Sequence, residues 1–561
     1  MDTASPDKLK PPTLEALRQQ KNEIIGVAFL FLVFRLMMLF WFQPYYSEFS
    51  HYFYPFMELS DTRVLEQYSS APQDQVIGGQ GGAAAQRAAP PGTAPPLPAR
   101  PKVLPALPFI DYWLEYPPVF VWIALGIYKL DAAIFGMHAG GAFVFSMSVS
   151  IFLAFIDLAN LVLLYAIGKR IDTHGFGMRA AVAYAMLFFP IVVMAGYFDT
   201  FVAFTILLAL WGMVSNKPGI AGAATGLGIM TKFIPVLLIP AAVRYIGRTF
   251  MPAGLGAVQT PTAVTPTAGT FTPAGSTTSS PAISTPTRTP ILWDWNRVIN
   301  YFGTMVLTIG VVSSTFLVVR PDLFVMPFRV AAQRGGWETV RALATGQNDF
   351  GHVGPSEAYL AQHPDYFRSV KSSYAGVIEK GPGFPLDGMN MMPSSDADRA
   401  RMASRFTTDL GYLKPPSDPY AIPVGIILAA LFFVAWLFMP ESPKPLHITA
   451  LAGITFATAF AYSSGWSPQF IIYLIPFALL GLSKRTNVFL ALALCAVTFV
   501  ELPIWLRYVR IPNGPEGGAE ALLWVVATMR VLLLAVIAVT MYLEVQWRAA
   551  ADELLAGKLR V

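Results

Sequence analysis

Apolar residues follow one another along this chain in repeated runs of about 20 positions, which is the length of a helix that crosses a bilayer. Short polar segments separate the runs. The pattern predicts an all-α polytopic membrane protein with about 12 transmembrane helices. The predicted spans are residues 24–42, 143–167, 180–195, 201–214, 219–230, 233–243, 298–319, 421–439, 447–462, 470–482, 488–506 and 521–543.

Composition agrees with this class. The 561 residues are 54% hydrophobic and 13% charged, about half the charged share of an ordinary soluble domain. The net charge of +5 needs no nucleic acid as a partner, because the basic residues gather in short loops on one predicted side. The single cysteine, Cys495, lies inside an apolar run and excludes a disulfide framework.

The distribution of basic residues predicts the orientation. Lys8, Lys10, Arg18 and Lys21 precede the first span, which places residues 1–23 in the cytoplasm by the positive-inside rule. Basic residues also mark the predicted inner ends of later spans, while Arg507 and Arg510 are exceptions in a short outer loop. We therefore expect a multi-pass protein of the plasma (inner) membrane, with both termini, including the tail 544–561, in the cytoplasm.

Two long regions, 43–141 and 320–418, are predicted to lie on the extracytoplasmic side. The first contains a Gly/Ala/Pro-rich insert at 70–106 that we expect to be flexible. The apolar run after it is interrupted by Lys129 and Asp131, so an interfacial or re-entrant helix is predicted there. Residues 249–292 form a Thr/Pro-rich linker, predicted to be disordered and cytoplasmic, between the second to sixth spans (143–248) and the seventh.

The segment FIDYWLEYPPVFVW, residues 109–122, carries the first candidate chemistry. Asp111 and Glu115 lie among aromatic residues, and Pro117 and Pro118 hold Tyr116 on a stiff extended segment before a helix that begins near residue 119. Aromatic faces stack on sugar CH groups while carboxylates accept hydroxyl protons. Two interpretations fit: a sugar-handling segment, or an amphipathic segment with prolines at a membrane surface.

A second unusual feature is a corner at Lys232, between two short apolar segments that glycine and proline interrupt. Membrane proteins tolerate such broken helices where they line a site, although a lysine at a helix end also snorkels toward water. Asp199, in the outer turn GYFDT, is either a helix cap or a site residue. Arg35, inside the first span, either pairs structurally or faces the cavity.

Four motifs in order make the chain resemble the GT-C superfamily of integral-membrane glycosyltransferases, near its polyprenyl-phosphate-dependent mannosyl- and glucosyltransferase-like branch. They are ELSD (58–61), WLEYPPVFVW (113–122), GLGIMTKFIPVLLIP (226–240) and GWSPQFIIYLIPF (465–477). The resemblance implies a GT-C-like fold with two large extracytoplasmic loops. It also implies transfer of a hexose, with inversion, from a polyprenyl-phosphate donor to a lipid, glycan or protein acceptor.

The resemblance also implies roles for particular residues. The family's catalytic acid follows the first span closely, and Glu48 is the nearest match, although many relatives carry an aspartate there. Asp111 and Glu115 are the other catalytic candidates. Cations would hold the leaving phosphate. The predicted substrate-binding residues are Tyr116, Asp199, Lys232, Arg334, Trp337, Glu338 and Gln469, with Arg341 as an alternative to Arg334. No metal ligand is assigned, and the need for a divalent cation stays open.

A multi-pass transporter or lipid-linked sugar flippase is the alternative. Intramembrane Arg35, Asp157 and Arg530 together with broken helices would suit it. Against it, the two halves show no internal repeat and the two long outer regions are asymmetrical. A non-catalytic assembly subunit is a third, weaker interpretation.

Overall fold

The computed structural model describes residues 13–41, 47–54, 57, 107–109, 116–136, 141–250, 291–321, 324–325, 327–328, 331, 338–345, 421–463, 465–482, 486–501 and 519–558. Its helices are α1 (Leu14–Trp41), α2 (Pro118–Phe135), α3 (Gly141–Ile171), α4 (His174–Met186), α5 (Phe189–Gly196), α6 (Asp199–Val214), α7 (Pro218–Ile229), α8 (Ile239–Tyr245), α9 (Trp295–Val319), α10 (Val340–Thr345), α11 (Ala421–Phe438), α12 (Pro445–Tyr462), α13 (Ile471–Gly481), α14 (Thr486–Phe499) and α15 (Ala519–Lys558). A π-helical turn covers Phe49–Phe53, and 3₁₀ turns cover Ile234–Leu238 and Pro468–Phe470.

The predicted all-α polytopic membrane fold is confirmed. Within the described residues, seven helices are long and apolar enough to cross a membrane, or eight if α4 and α5, bent by 65°, form one broken span. Helix α2, predicted as interfacial or re-entrant, is one of the seven by length and composition. Several shorter predicted spans are apolar helices of 10–17 residues, so the number twelve stays a prediction.

Two short strands stand on either side of residues 251–290. Strand β1 (Arg248–Phe250) pairs antiparallel with β2 (Ile291–Trp293). The predicted linker 249–292 therefore has a β-ladder at its two ends, which its Thr/Pro-rich composition does not indicate.

Helices α7 and α9 are packed backbone to backbone through glycines. A Cβ atom added to Gly222 would lie 2.0 Å from the Tyr301 carbonyl oxygen, and one added to Gly226 would lie 2.6 Å from that of Met305. The hydroxyl of Thr304 donates to the Gly219 carbonyl at 3.0 Å. Small residues four apart permit this approach, as in other membrane helix pairs, and they fix helix α7 just before the Lys232 corner.

A buried ion pair attaches α1 to the bundle. Arg35 Nε donates to Asp157 Oδ2 on α3 at 2.9 Å, both side chains are fully buried, and Tyr184 donates to the other carboxylate oxygen at 2.5 Å. The buried residues of α1 are Phe31, Arg35 and Leu39, which form one stripe of the helix. Arg35 therefore has the structural pairing role.

At the end of α8 that is remote from Lys232, two side chains donate hydrogen bonds to backbone carbonyls at the end of α11 and in the loop that follows it. The guanidinium of Arg244 donates to the carbonyls of Leu437 and Met439, and Tyr245 donates to that of Pro440 at 3.0 Å. In the same loop, Lys444 pairs with Asp552 of α15. These contacts connect the end of α8 in the first half of the chain with the loop between α11 and α12 in the second half.

The close approach of α7 and α9 gives the first prediction. Gly222→Ala should lower the thermal midpoint of the detergent-purified protein, because its methyl group meets backbone atoms and overpacking costs about 1–3 kcal/mol. Gly310→Ala on α9 is the matched control, since a Cβ there meets nothing within 4 Å. Alanine is about 1 kcal/mol better than glycine in a helix, so the control should hold or raise the midpoint. Equal midpoints for the two variants would contradict the packing.

Candidate active site

The double-proline segment docks directly on the Lys232 corner. Helix α2 begins at Pro118, Pro117 is extended with ψ of 162°, and the backbone N–H of Val119 donates to the Met230 carbonyl at 3.0 Å. Proline fits the first helical turn because the N–H groups there lack intrahelical partners. The predicted helix start is thus confirmed, and two motifs more than 100 positions apart in the sequence meet through one backbone hydrogen bond.

Lys232 is held at the end of α7 and paired inside the protein. Its backbone N–H donates to the Gly228 carbonyl at 2.8 Å, which continues the last helical turn. Its ammonium donates to Asp199 Oδ1 at 2.7 Å, and Tyr473 of α13 donates to the same oxygen. Asp199 is fully buried and Lys232 is 8% exposed, so the pair lies in a medium where its attraction is strong.

Three aromatic rings surround the Lys232 ammonium. Its nitrogen lies 5.4 Å from the ring centroid of Tyr116, 5.1 Å from that of Phe198 and 4.8 Å from that of Phe470. Aromatic faces attract a cation at these distances. The cage places apolar ring faces around the ammonium, which has one carboxylate partner among the described side chains.

Glu48 contacts the same cage at the hydroxyl of Tyr116. It lies immediately before the π-helical turn, is buried, and its Oε1 accepts a hydrogen bond from the Tyr116 hydroxyl at 3.1 Å. Tyr116 packs edge to face on Phe198 with centroids 4.7 Å apart. One side chain therefore contacts the carboxylate with its hydroxyl and the ammonium with its ring.

Tyr197, in the turn between α5 and α6, belongs to the same group and was not among the predicted residues. Burial raises the pKa of its phenol well above the ordinary value, and the carboxylates of Glu48, Asp199 and Glu501 add to the shift. The hydroxyl therefore stays protonated beside these acids. The motif GYFDT holds it two positions before Asp199, which is the only sequence signal it has.

The structure places the other predicted residues as follows. Asp199 is not a helix cap: it is the first residue of α6, where the helix dipole favours a carboxylate, and its side chain serves Lys232. Gln469 is buried next to Phe470 and accepts from the Ser467 hydroxyl at 2.8 Å. Glu338 pairs with Arg530 at 3.1 Å, not with Lys232. The predicted residues Asp111, Glu115, Arg334 and Trp337 lie outside the described residues.

Sequence reasoning missed three aromatic side chains of the site besides Tyr197. Phe198 and Phe470 complete the cage, and Tyr473 donates to Asp199. Phe470 and Tyr473 lie within the motif GWSPQFIIYLIPF, but nothing local distinguishes them from other apolar positions. In the part of the chain that the structure describes, no group of three His, Cys, Asp or Glu side chains could hold a metal ion.

Fold and site together define a multi-pass helical membrane protein with a buried carboxylate and ammonium sharing one aromatic cage. No protein-family model matches the chain, and no curated protein matches it in sequence. Among solved structures, ArnT from Cupriavidus metallidurans bound to undecaprenyl phosphate is similar at 16% identity and a TM-score of 0.26, over 78% of this chain and 69% of that one.

Two archaeal structures are similar as well. The oligosaccharyltransferase AglB from Archaeoglobus fulgidus, in complex with an inhibitory peptide and a dolichol-phosphate, gives 14% identity and a TM-score of 0.30. An apo form of the Archaeoglobus fulgidus oligosaccharyltransferase gives 12% and 0.31. The match covers 92% of this chain but 55% and 56% of those two. TM-scores this low carry no functional assignment.

The Lys232–Asp199 pair gives the second prediction. Asp199→Asn should destabilise the protein by about 3 kcal/mol, because it leaves a buried ammonium without its counter-charge. The double variant Asp199→Asn with Lys232→Met should recover part of the loss, which a double-mutant cycle of thermal midpoints measures. Lys444→Met, which breaks the half-exposed pair with Asp552, is the control and should cost less than about 1 kcal/mol. Additive losses at 199 and 232 would refute the pairing.

Proposed function

We propose that this protein is a membrane glycosyltransferase that moves a hexose from a polyprenyl-phosphate donor to a lipid, glycan or protein acceptor, with inversion, at the extracytoplasmic face. Both termini are proposed to lie in the cytoplasm, as the distribution of basic residues predicts. The observation that carries the proposal is the contact of Tyr116 with buried Glu48 at its hydroxyl and with buried Lys232 at its ring. A candidate base and a candidate phosphate-binding cation thus contact the same phenol, one at its hydroxyl and one at its ring.

Glu48 is the proposed general base. An acceptor hydroxyl attacking the anomeric carbon must lose its proton to a carboxylate within hydrogen-bond reach. Glu48 is buried and oriented by Tyr116, so its geometry is fixed before substrate arrives. Asp111 and Glu115, close to Tyr116 in the sequence, are the other candidates from the same region.

Lys232 is the proposed cation for the leaving phosphate. Transfer develops oxocarbenium character at the sugar and negative charge on the departing phosphate. In the cage, the ammonium acts with little screening by water. The aromatic faces of Tyr116, Phe198 and Phe470 suit the CH faces of a pyranose. Asp199 Oδ2 has no hydrogen-bond partner among the described side chains and can accept from a sugar hydroxyl.

The remaining roles follow from the sequence resemblance. Gln469, adjoining Phe470 of the cage, and Arg334, Trp337 and Glu338 from the second long region are proposed to bind donor or acceptor. The proposal assigns no metal ligand, and dependence on a divalent cation is decided by assay.

The alternative as a transporter loses support from its charged residues. Arg35 is paired with Asp157 inside the bundle, and Arg530 is paired with Glu338 and Glu501. Each of these two cations therefore has an opposite charge beside it within the protein and does not depend on a transported ion for charge balance. Incorporation of radiolabelled sugar into lipid or polymer by membranes that contain the protein separates the two functions, since a transporter forms no glycosidic bond.

The catalytic assignment gives the third prediction. Glu48→Gln keeps the size and the hydrogen bond to Tyr116 but removes the base, so transfer should fall on the order of a hundredfold or more at unchanged protein level. Glu115→Gln should have a comparable effect if that acid binds sugar hydroxyls or is itself the base. Glu441→Gln, in the loop between α11 and α12, is the control. Near-normal transfer by both Glu48→Gln and Glu115→Gln would contradict a catalytic role for the first long region.

The cation gives the fourth prediction. Lys232→Met should raise the donor concentration at half-maximal rate by about tenfold, the loss of one charge-assisted hydrogen bond, and lower turnover less. Initial rates at a series of donor concentrations measure both quantities. If turnover falls while the donor requirement stays the same, Lys232 does not bind the donor.

A further inference from the structure

Arg530 of α15, which is buried like Lys232, contacts three separated segments of the chain. One of its terminal nitrogens donates to Glu501, just beyond α14. The other donates both to the Glu338 carbonyl at 2.7 Å and to the Glu338 carboxylate at 3.1 Å. Its guanidinium carbon lies 4.6 Å from the ring centroid of Trp466. All four side chains are at most 3% exposed.

Arg530 holds Glu338 in an uncommon backbone conformation. Glu338 has φ of +52°, in the left-handed region that few residues with a side chain adopt. Such a conformation persists where the surroundings fix it. Here one guanidinium nitrogen of Arg530 binds both the main-chain carbonyl and the carboxylate of Glu338. Glu338 lies two residues before the start of α10.

The Trp466 contact leads from Arg530 to the Lys232 cage. Trp466 packs edge to face on Phe470 with centroids 6.0 Å apart, and Phe470 is the nearest of the three rings to the Lys232 nitrogen, at 4.8 Å. Phe470 also packs against Tyr473, which holds Asp199. Movement of Trp466 would therefore reach both members of the Lys232–Asp199 pair through adjoining rings.

We propose that Arg530 is a positioning residue for the donor-phosphate site: by stacking on Trp466 it holds Phe470 against Lys232, and so keeps the ammonium dry. This rests on the proposed function of Lys232. Arginine suits the task better than lysine, because its planar group can stack on a ring while its nitrogens bind two carboxylates. If the stack loosens, water enters the cage and weakens the attraction between Lys232 and a phosphate.

The test measures equilibrium binding of a polyprenyl phosphate, radiolabelled undecaprenyl phosphate, to the purified full chain, alongside transfer rates. Arg530→Lys keeps the charge but loses the planar stack, so the dissociation constant should rise roughly threefold or more, with turnover within about twofold of wild type. Arg548→Lys, a half-exposed position on the same helix paired with Glu544, is the matched control and should bind like wild type.

Trp466 variants show whether Arg530 acts through that ring. Trp466→Leu should weaken binding as Arg530→Lys does, Trp466→Phe should restore most of it, and the leucine variant combined with Arg530→Lys should bind no worse than either alone. The inference would be overturned if the increases in dissociation constant caused by the two substitutions multiplied in the double variant. It would also be overturned if the variants lost turnover while their binding of the lipid phosphate stayed unchanged. The Trp466 series decides the matter if Arg530→Lys does not fold.

The outcomes also separate this inference from the proposed function. Wild-type protein that binds undecaprenyl phosphate but transfers no sugar would overturn the transferase assignment, and the binding comparison between wild type and Arg530→Lys would still test the positioning role. Failure of wild type to bind the lipid phosphate would overturn both. Normal transfer by wild type with unaltered binding by Arg530→Lys would overturn the positioning role alone.

Discussion

The structure at the candidate site depends on one constraint: an ammonium buried among aromatic rings requires a carboxylate beside it. Taking two charges out of water costs several kcal/mol for each ion, and only close pairing with good hydrogen bonds offsets that cost. Lys232 and Asp199 meet the requirement from different helices, with Tyr473 as a further donor. The chain just beyond the end of α7, the start of α6 and a residue of α13 must therefore all come together at the Asp199 carboxylate. The glycine contacts between α7 and α9 and the bond from Val119 to Met230 hold that point in place.

Aromatic rings do the rest of the organising. Tyr116, Phe198 and Phe470 surround the Lys232 ammonium, and the Tyr116 hydroxyl extends the arrangement to Glu48. A phenol suits this place because it has an apolar face and a polar tip. The face can lie against a cation or a sugar while the hydroxyl orients a carboxylate. The prolines that follow Tyr116 remove backbone freedom where that double contact is made.

Local rules predicted those parts of the site that local chemistry determines. Fixed φ at Pro117 and Pro118 gave the helix start, and the broken pattern around Lys232 gave the corner, because both depend on neighbouring residues. The partners of the charged residues depend on which helices adjoin in space. Nothing near Asp199 in the sequence indicates Lys232 as its partner, so the cap interpretation fitted equally well until the fold was known. Glu338 shows the same limit: the partner assigned by geometry is Arg530, 192 positions away.

The segment 466–473 contributes to the surroundings of both Lys232 and Arg530. Phe470 adjoins Lys232, Trp466 adjoins Arg530, and Tyr473 donates to the carboxylate that neutralises Lys232. The carboxylates that pair with Lys232 and Arg530 come from different stretches of the chain, whereas this segment supplies an aromatic contact to each of the two cations. A short turn between two helices can position several rings at once only if its own backbone is fixed. Pro468 and the 3₁₀ turn it begins supply that rigidity. The two buried charge clusters therefore contact the same turn, Arg530 at Trp466 and Lys232 at Phe470, and these two rings contact each other.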